Sequence, residues 1–150
     1  MIVNLQRHRE SRTPSPTATE LPLATTAAPS PVVAVFGHPG RVCGLAGHLP
    51  SGWTVRRPSG LAELRPGDIV LIAGATVADV AGIRAGVSRQ TRIVALVDAL
   101  APAEMVTGVL SAGADVCVRG GHPAVLAGHL IACRRRQLAD RWSRLAAGST

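Results

Sequence analysis

From Pro31 onward, short apolar runs alternate with helix-like stretches, the pattern of a parallel sheet joined by crossover helices. The spacing predicts strands at Val32–Phe36, Trp53–Arg56, Asp68–Ile72, Arg92–Val97 and Asp115–Val118. Between them it predicts a helix running from the Gly37-His38-Pro39-Gly40 turn to about Leu49, at most a short helix at Gly60–Leu64, and helices at Val77–Ala85 and Pro102–Ala112. The central runs are almost wholly apolar and so belong in strands buried on both faces, whereas Trp53–Arg56 is short, adjoins Arg57 and belongs at an edge.

A last helix starts near Pro123, since proline suits a first helical turn, and extends to about Leu145. Val125, Leu126, Leu130, Cys133, Leu138, Trp142 and Leu145 form its apolar stripe, the first half of which should cover the sheet. At about 1.5 Å per residue, the part beyond Arg136 outruns a small domain. That overhang, with Trp142 on it, is a candidate contact surface or a linker. Residues 1–30 have neither period, and Pro14, Pro16, Pro22 and Pro29 interrupt any helix there. The expected organisation is a disordered tail over 1–30, a domain over 31–136 and a helical extension over 137–150.

Composition narrows the class. A chain of 150 residues that is 47% hydrophobic holds one domain's core, and with 2% aromatic residues that core must be built from Val, Leu, Ile and Ala. All the basic residues are arginines, which points to coding bias in a GC-rich bacterium more than to a selected patch. The net charge of +7 permits an acidic or nucleic-acid partner, but the arginines are spread along the chain apart from the Arg134-Arg135-Arg136 run. Cys43, Cys117 and Cys133 have no metal-ligand spacing and are expected as small buried hydrophobes in a reducing cytosol. No apolar run reaches the ~18 residues of a membrane span, and the start of the chain lacks the apolar core of a secretory signal. The expectation is a cytoplasmic protein with no membrane partner.

Three stretches resemble the receiver domains of bacterial response regulators. Val35-Phe36-Gly37-His38-Pro39 is similar to that family's Val-Asp-Asp-His-Pro, and Asp68-Ile69-Val70-Leu71-Ile72-Ala73 to its Asp-Val-Val-Leu-Leu-Asp. Ala112-Gly113-Ala114-Asp115-Val116-Cys117-Val118 is similar to Ala-Gly-Ala-Asp-Gly-Tyr-Leu. The resemblance covers about residues 31–136. It implies an α/β, flavodoxin-like (CheY-like) three-layer sandwich with a five-stranded parallel sheet of order 2-1-3-4-5.

Receivers transfer a phosphoryl group to an aspartate with the help of an acid-bound divalent cation, a hydroxyl and a lysine. Carried over position by position, the acidic pair falls on Phe36 and Gly37, the phosphoacceptor on Ala73, and the switch positions on Val97, Cys117 and Gly120. None keeps the chemistry. Of the other carboxylates only Asp98 lies just past a strand's C-terminal end, and one carboxylate is a poor magnesium site. The resemblance therefore implies a degenerate receiver with no catalytic residue, metal or cofactor. It would act as an interaction module in signalling or transcriptional control, with a protein partner or a second copy meeting the helix 4–strand 5–helix 5 face at about Pro102–Arg136. Receivers of this kind precede a helix-turn-helix output domain, which these 150 residues do not contain.

Other readings stay open. The crevice at the strand C-termini, with Phe36, Ala73 and Val97, suits an uncharged small molecule or a nucleotide. The Gly37-His38-Pro39-Gly40 turn matches neither phosphate-loop pattern, and Pro39 removes a donor. His38 and Asp98 sit on strands separated by a third, about 10 Å apart, too far for a catalytic or metal pair. His122 and His129 suit a helix cap and a helix surface. Arg134, Arg135 and Arg136, with Arg141 and Arg144, are the candidate nucleic-acid contact, and with Trp142 the candidate interaction surface.

Overall fold

The computed structural model of the chain describes residues 29–149. The tail expected over 1–30 thus falls almost wholly outside the described residues. Five strands, β1 (Val32–Gly37), β2 (Thr54–Arg56), β3 (Ile69–Ala73), β4 (Arg92–Val97) and β5 (Val116–Arg119), form one all-parallel sheet of order β2-β1-β3-β4-β5. Three α-helices follow: α1 (Val77–Gly86), α2 (Ala103–Ser111) and α3 (Pro123–Ala147). The architecture is an α/β flavodoxin-like fold.

The sheet divides the core in two, because alternate residues of each strand point to opposite faces. Val33, Val35, Ile69, Leu71, Val94, Leu96 and Val118 pack beneath Leu126, Leu130 and Cys133 of α3. Val70, Ile72, Ile93, Ala95 and Val97 pack beneath Val80 of α1 and Val109 of α2. All five residues of β3 are buried, as a central strand covered on both faces requires. β2 pairs only with β1 and is an edge strand.

Helix ends follow local chemistry. Thr76 starts α1 with a capping box: its Oγ1 accepts from the Asp79 amide at 3.1 Å, and the Asp79 carboxylate accepts from the Thr76 amide at 3.1 Å. His122 caps α3, its Nδ1 accepting from the Ala124 amide at 3.2 Å, and Pro123 occupies the first turn. His129 is exposed on the helix surface.

The first crossover departs from expectation. In place of a helix reaching Leu49 there are two single 3-10 turns, Pro39–Val42 and Leu45–His48. No side chain caps either, and Gly44 between them takes φ +82°, which breaks any continuous helix. Cys43 lies at this break and is exposed, and Cys117 is only half-buried, so of the three cysteines Cys133 alone is a core hydrophobe. Val125 too is exposed instead of covering the sheet.

α3 is continuous through Arg136 to Ala147, and its contact with the sheet continues past that residue. Arg92 Nη2 at the start of β4 donates to Asp140 Oδ2. No helix among the described residues is long and apolar enough to cross a membrane.

Candidate functional site

In this fold ligands are expected where β1, β3, β4 and β5 end, beside the order reversal between β1 and β3. Gly37 and Ala73 stand opposite each other in that register. Gly37 has φ +90°, and a Cβ built on it would lie 2.2 Å from the Ala73 carbonyl oxygen. The same oxygen accepts from the His38 amide at 2.9 Å. The space that a side chain at position 37 would need is therefore filled by the backbone of β3.

The other equivalent positions are apolar and mostly closed. Ala73 is fully buried, Val97 is buried, and Phe36 and Cys117 are half-buried against the α1/α2 core. Burial pushes the Cys117 thiol up, against the opposing pull of Arg119. Gly120 offers no side chain, and its amide donates to the Val97 carbonyl at 3.0 Å. The Gly74 and Ala75 amides donate to the Leu96 carbonyl, both at 2.9 Å, which ties the end of β3 to β4.

His38 and Asp98 do not form a pair. His38 lies over Gly74, where an added Cβ would meet its Cδ2 at 2.7 Å. Arg41 from the first 3-10 turn crosses the same point and its Nη1 donates to Asp98 Oδ1 at 2.5 Å. A guanidinium thus neutralises the carboxylate at this end of the sheet. The remaining cavity, about 240 Å³, is lined by Arg41, Leu96, Val97, Asp98, Ala99 and the Gly120-Gly121 pair. That is below the roughly 300–1,000 Å³ of ordinary small-molecule sites. Among the described residues no group of three or more His, Cys, Asp or Glu is placed to hold a metal ion.

These features lead to a measurable expectation. Purified protein incubated with acetyl phosphate and Mg²⁺ should take up no label, because Asp98, the carboxylate directly after β4, is ion-paired with Arg41 and the position carried over as phosphoacceptor is Ala73. Label abolished by Asp98→Ala would overturn this.

The arginine run does not act as one patch. Successive helical residues point about 100° apart, so Arg135 and Arg136 are exposed while Arg134 is half-buried. Arg134 Nη2 donates to the Pro29 carbonyl at 3.0 Å, and its Nη1 lies beside Gly67. Trp142 and Leu145, at 69% and 54% exposure, leave an apolar surface on the last turns of α3.

A second, wider concavity lies at the opposite end of the sheet, where the strands begin. It is a cleft of about 810 Å³ between α3, the Arg65-Pro66-Gly67 turn and the Val87–Thr91 loop. Sequence reasoning missed it, although Arg134, Arg141 and Arg144 recur at helical spacing and were its available signal.

The class defined by this fold is the flavodoxin-like α/β domain, with the usual ligand crevice reduced to a small, ion-paired notch. No family model matches the chain, and no curated protein matches it in sequence.

Proposed function

We propose that this chain is a receiver-like domain which has lost phosphoryl transfer and works as a protein-interaction module in bacterial signal transduction or transcriptional control. The observation that carries this reading is the Ala73 carbonyl standing where a side chain at position 37 would have to be. The parallel order β2-β1-β3-β4-β5 and the three motif resemblances support the receiver ancestry. The Arg41–Asp98 pair supports the loss of the cation site.

With chemistry removed from the strand ends, function rests on surface. Trp142 and Leu145 offer the largest apolar area on α3, and Leu110 of α2 with Val125 of α3 adds exposed apolar groups on the α2–β5–α3 face. Isolated exposed apolar residues are ordinary, but an exposed tryptophan next to a leucine one turn on is a favourable contact point for a second helix. A second copy of this chain or an apolar helix of a partner would cover it.

Sedimentation velocity of the full chain tests the reading. The wild type should sediment as an assembly larger than a monomer, and Trp142→Glu with Leu145→Glu should return it to monomer without lowering its melting temperature. Point changes are preferable to deleting 137–150, which would also remove the Asp140 contact with Arg92. A wild type that is monomeric and indistinguishable from the double variant would sink self-association through α3.

A further inference from the structure

The cleft at the strand beginnings holds an unusual excess of one charge. Arg65, Arg89, Arg92, Arg134, Arg141 and Arg144 line it, against one carboxylate, Asp140; six arginines less one aspartate leaves +5. Arg92 is already committed to Asp115 and Asp140. Of the other five, Arg134 reaches only the Pro29 carbonyl, and Arg65, Arg89, Arg141 and Arg144 form no ion pair among the described residues.

The charge is concentrated, with few internal partners. Burial and the neighbouring Arg141 both hold the Arg134 guanidinium below its ordinary value, so positive groups here already work against each other. Gln137 Oε1 and Arg92 Nε, from two residues that line the cleft, are buried with no hydrogen-bond partner among the described residues. The sequence preceding the described residues carries Arg7, Arg9 and Arg12 against Glu10 and Glu20, so it brings no net negative charge to offset the cleft.

The shape limits what the neutralising group can be. At about 810 Å³ the cleft has the size of a small-molecule site. Leu61, Leu64, Val87 and Leu138 supply an apolar wall, and Ser88 and Thr91 supply polar groups. Arginine's planar fork binds phosphate oxygens in pairs and its flat face stacks on rings. Low-dielectric walls around like charges concentrate the attraction for an anion.

We propose that this cleft is a binding site for a nucleotide-sized organic phosphate, with Arg134, Arg141 and Arg144 on α3 and Arg65 and Arg89 on the facing loops gripping the phosphates, and the leucine wall receiving the base. The site lies at the opposite end of the sheet from the crevice used by flavodoxin-like domains. Three of its arginines reach it from α3, the helix whose last turns carry Trp142, so occupancy is positioned to influence what that helix contacts.

The test uses the full chain with ADP, adenosine, inorganic pyrophosphate and duplex DNA, read by calorimetric titration and thermal shift. ADP should bind and raise the melting temperature, since a ligand of the native state alone stabilises it. Adenosine should not bind measurably, and pyrophosphate should bind at least about tenfold more weakly than ADP, the worth of roughly 1.4 kcal/mol of base contact. Arg141→Gln with Arg144→Gln, both at exposed positions without ion pairs among the described residues, should weaken ADP at least about tenfold without lowering the melting temperature of the free protein. Arg135→Gln with Arg136→Gln, outside the cleft, should leave ADP binding as it is. Absence of ADP binding, equal binding of adenosine or of pyrophosphate, displacement of ADP by duplex DNA, or equal damage from the Arg135/Arg136 pair would each overturn the proposal.

Discussion

Gly37→Ala should lower the free energy of unfolding by about 2–5 kcal/mol, the sum of roughly 1–2 for a side chain in left-handed backbone and roughly 1–3 for forcing atoms into a filled space. The backbone at Gly37 sits at φ +90°, and the new methyl would meet the Ala73 carbonyl oxygen at 2.2 Å. That oxygen cannot simply retreat, because it accepts from the His38 amide and belongs to the fully buried β3. In urea the midpoint should fall while the slope stays constant, the signature of lost stability in an unchanged transition. Gly40→Ala is the control: a Cβ there meets nothing within 4 Å, so its effect should be near zero or slightly favourable. A Gly37→Ala protein as stable as wild type would refute the closed-site geometry. The same clash means that rebuilding a receiver's acids with Phe36→Asp, Gly37→Asp and Ala73→Asp should give a poorly folded protein in place of a phosphorylatable one.

The second large effect is expected at the other end of the sheet. Asp115 precedes β5 and serves two donors and a further cation: its Oδ2 accepts from the Ile93 amide at 2.8 Å, its Oδ1 from Arg92 Nη1 at 3.1 Å, and Arg84 Nη1 lies 3.6 Å from Oδ2 as an ion pair. Burial works against the charged form of Arg92, yet the hydrogen bond and charge of Asp115, joined by Asp140, hold its guanidinium above the ordinary value. Asp115→Ala leaves the Ile93 amide and Arg92 without this acceptor and Arg84 without its ion-pair partner, and should cost about 2–4 kcal/mol. Asp115→Asn keeps one acceptor and should fall between. Asp140 is about half exposed, so Asp140→Ala should cost no more than about 1 kcal/mol. Thermal unfolding of the three variants reads the order directly, and an Asp115→Ala protein more stable than Asp140→Ala would contradict it.

Much of the sheet could be read from the chain. The central strands are uninterrupted apolar runs because both of their faces are covered, and the two-residue alternation sorts Leu71 to α3 and Ile72 to α1 and α2. The Thr76/Asp79 box and the His122-Pro123 pair are local signals, and each helix starts where they stand. The first crossover misled because Leu45, Leu49 and the small residues near them have helical spacing, while Gly44 requires a backbone no helix has. That Phe36, Gly37 and Ala73 bring no acid to the ends of β1 and β3 was legible. That position 37 has no room for one was not, since the obstruction comes from Ala73, 36 residues along the chain.

The same distinction separates what each level decided. By itself the sequence determined the parallel α/β architecture and the order of its elements, because burial periodicity is a local property. Only the tertiary structure decided that Arg41 occupies Asp98, that Asp115 joins Arg84 and Arg92, and that arginines from two loops and α3 converge on one cleft. Those pairings join residues far apart in the chain, and parallel strands bring their beginnings together at one end of the sheet whatever the sequence distance between them.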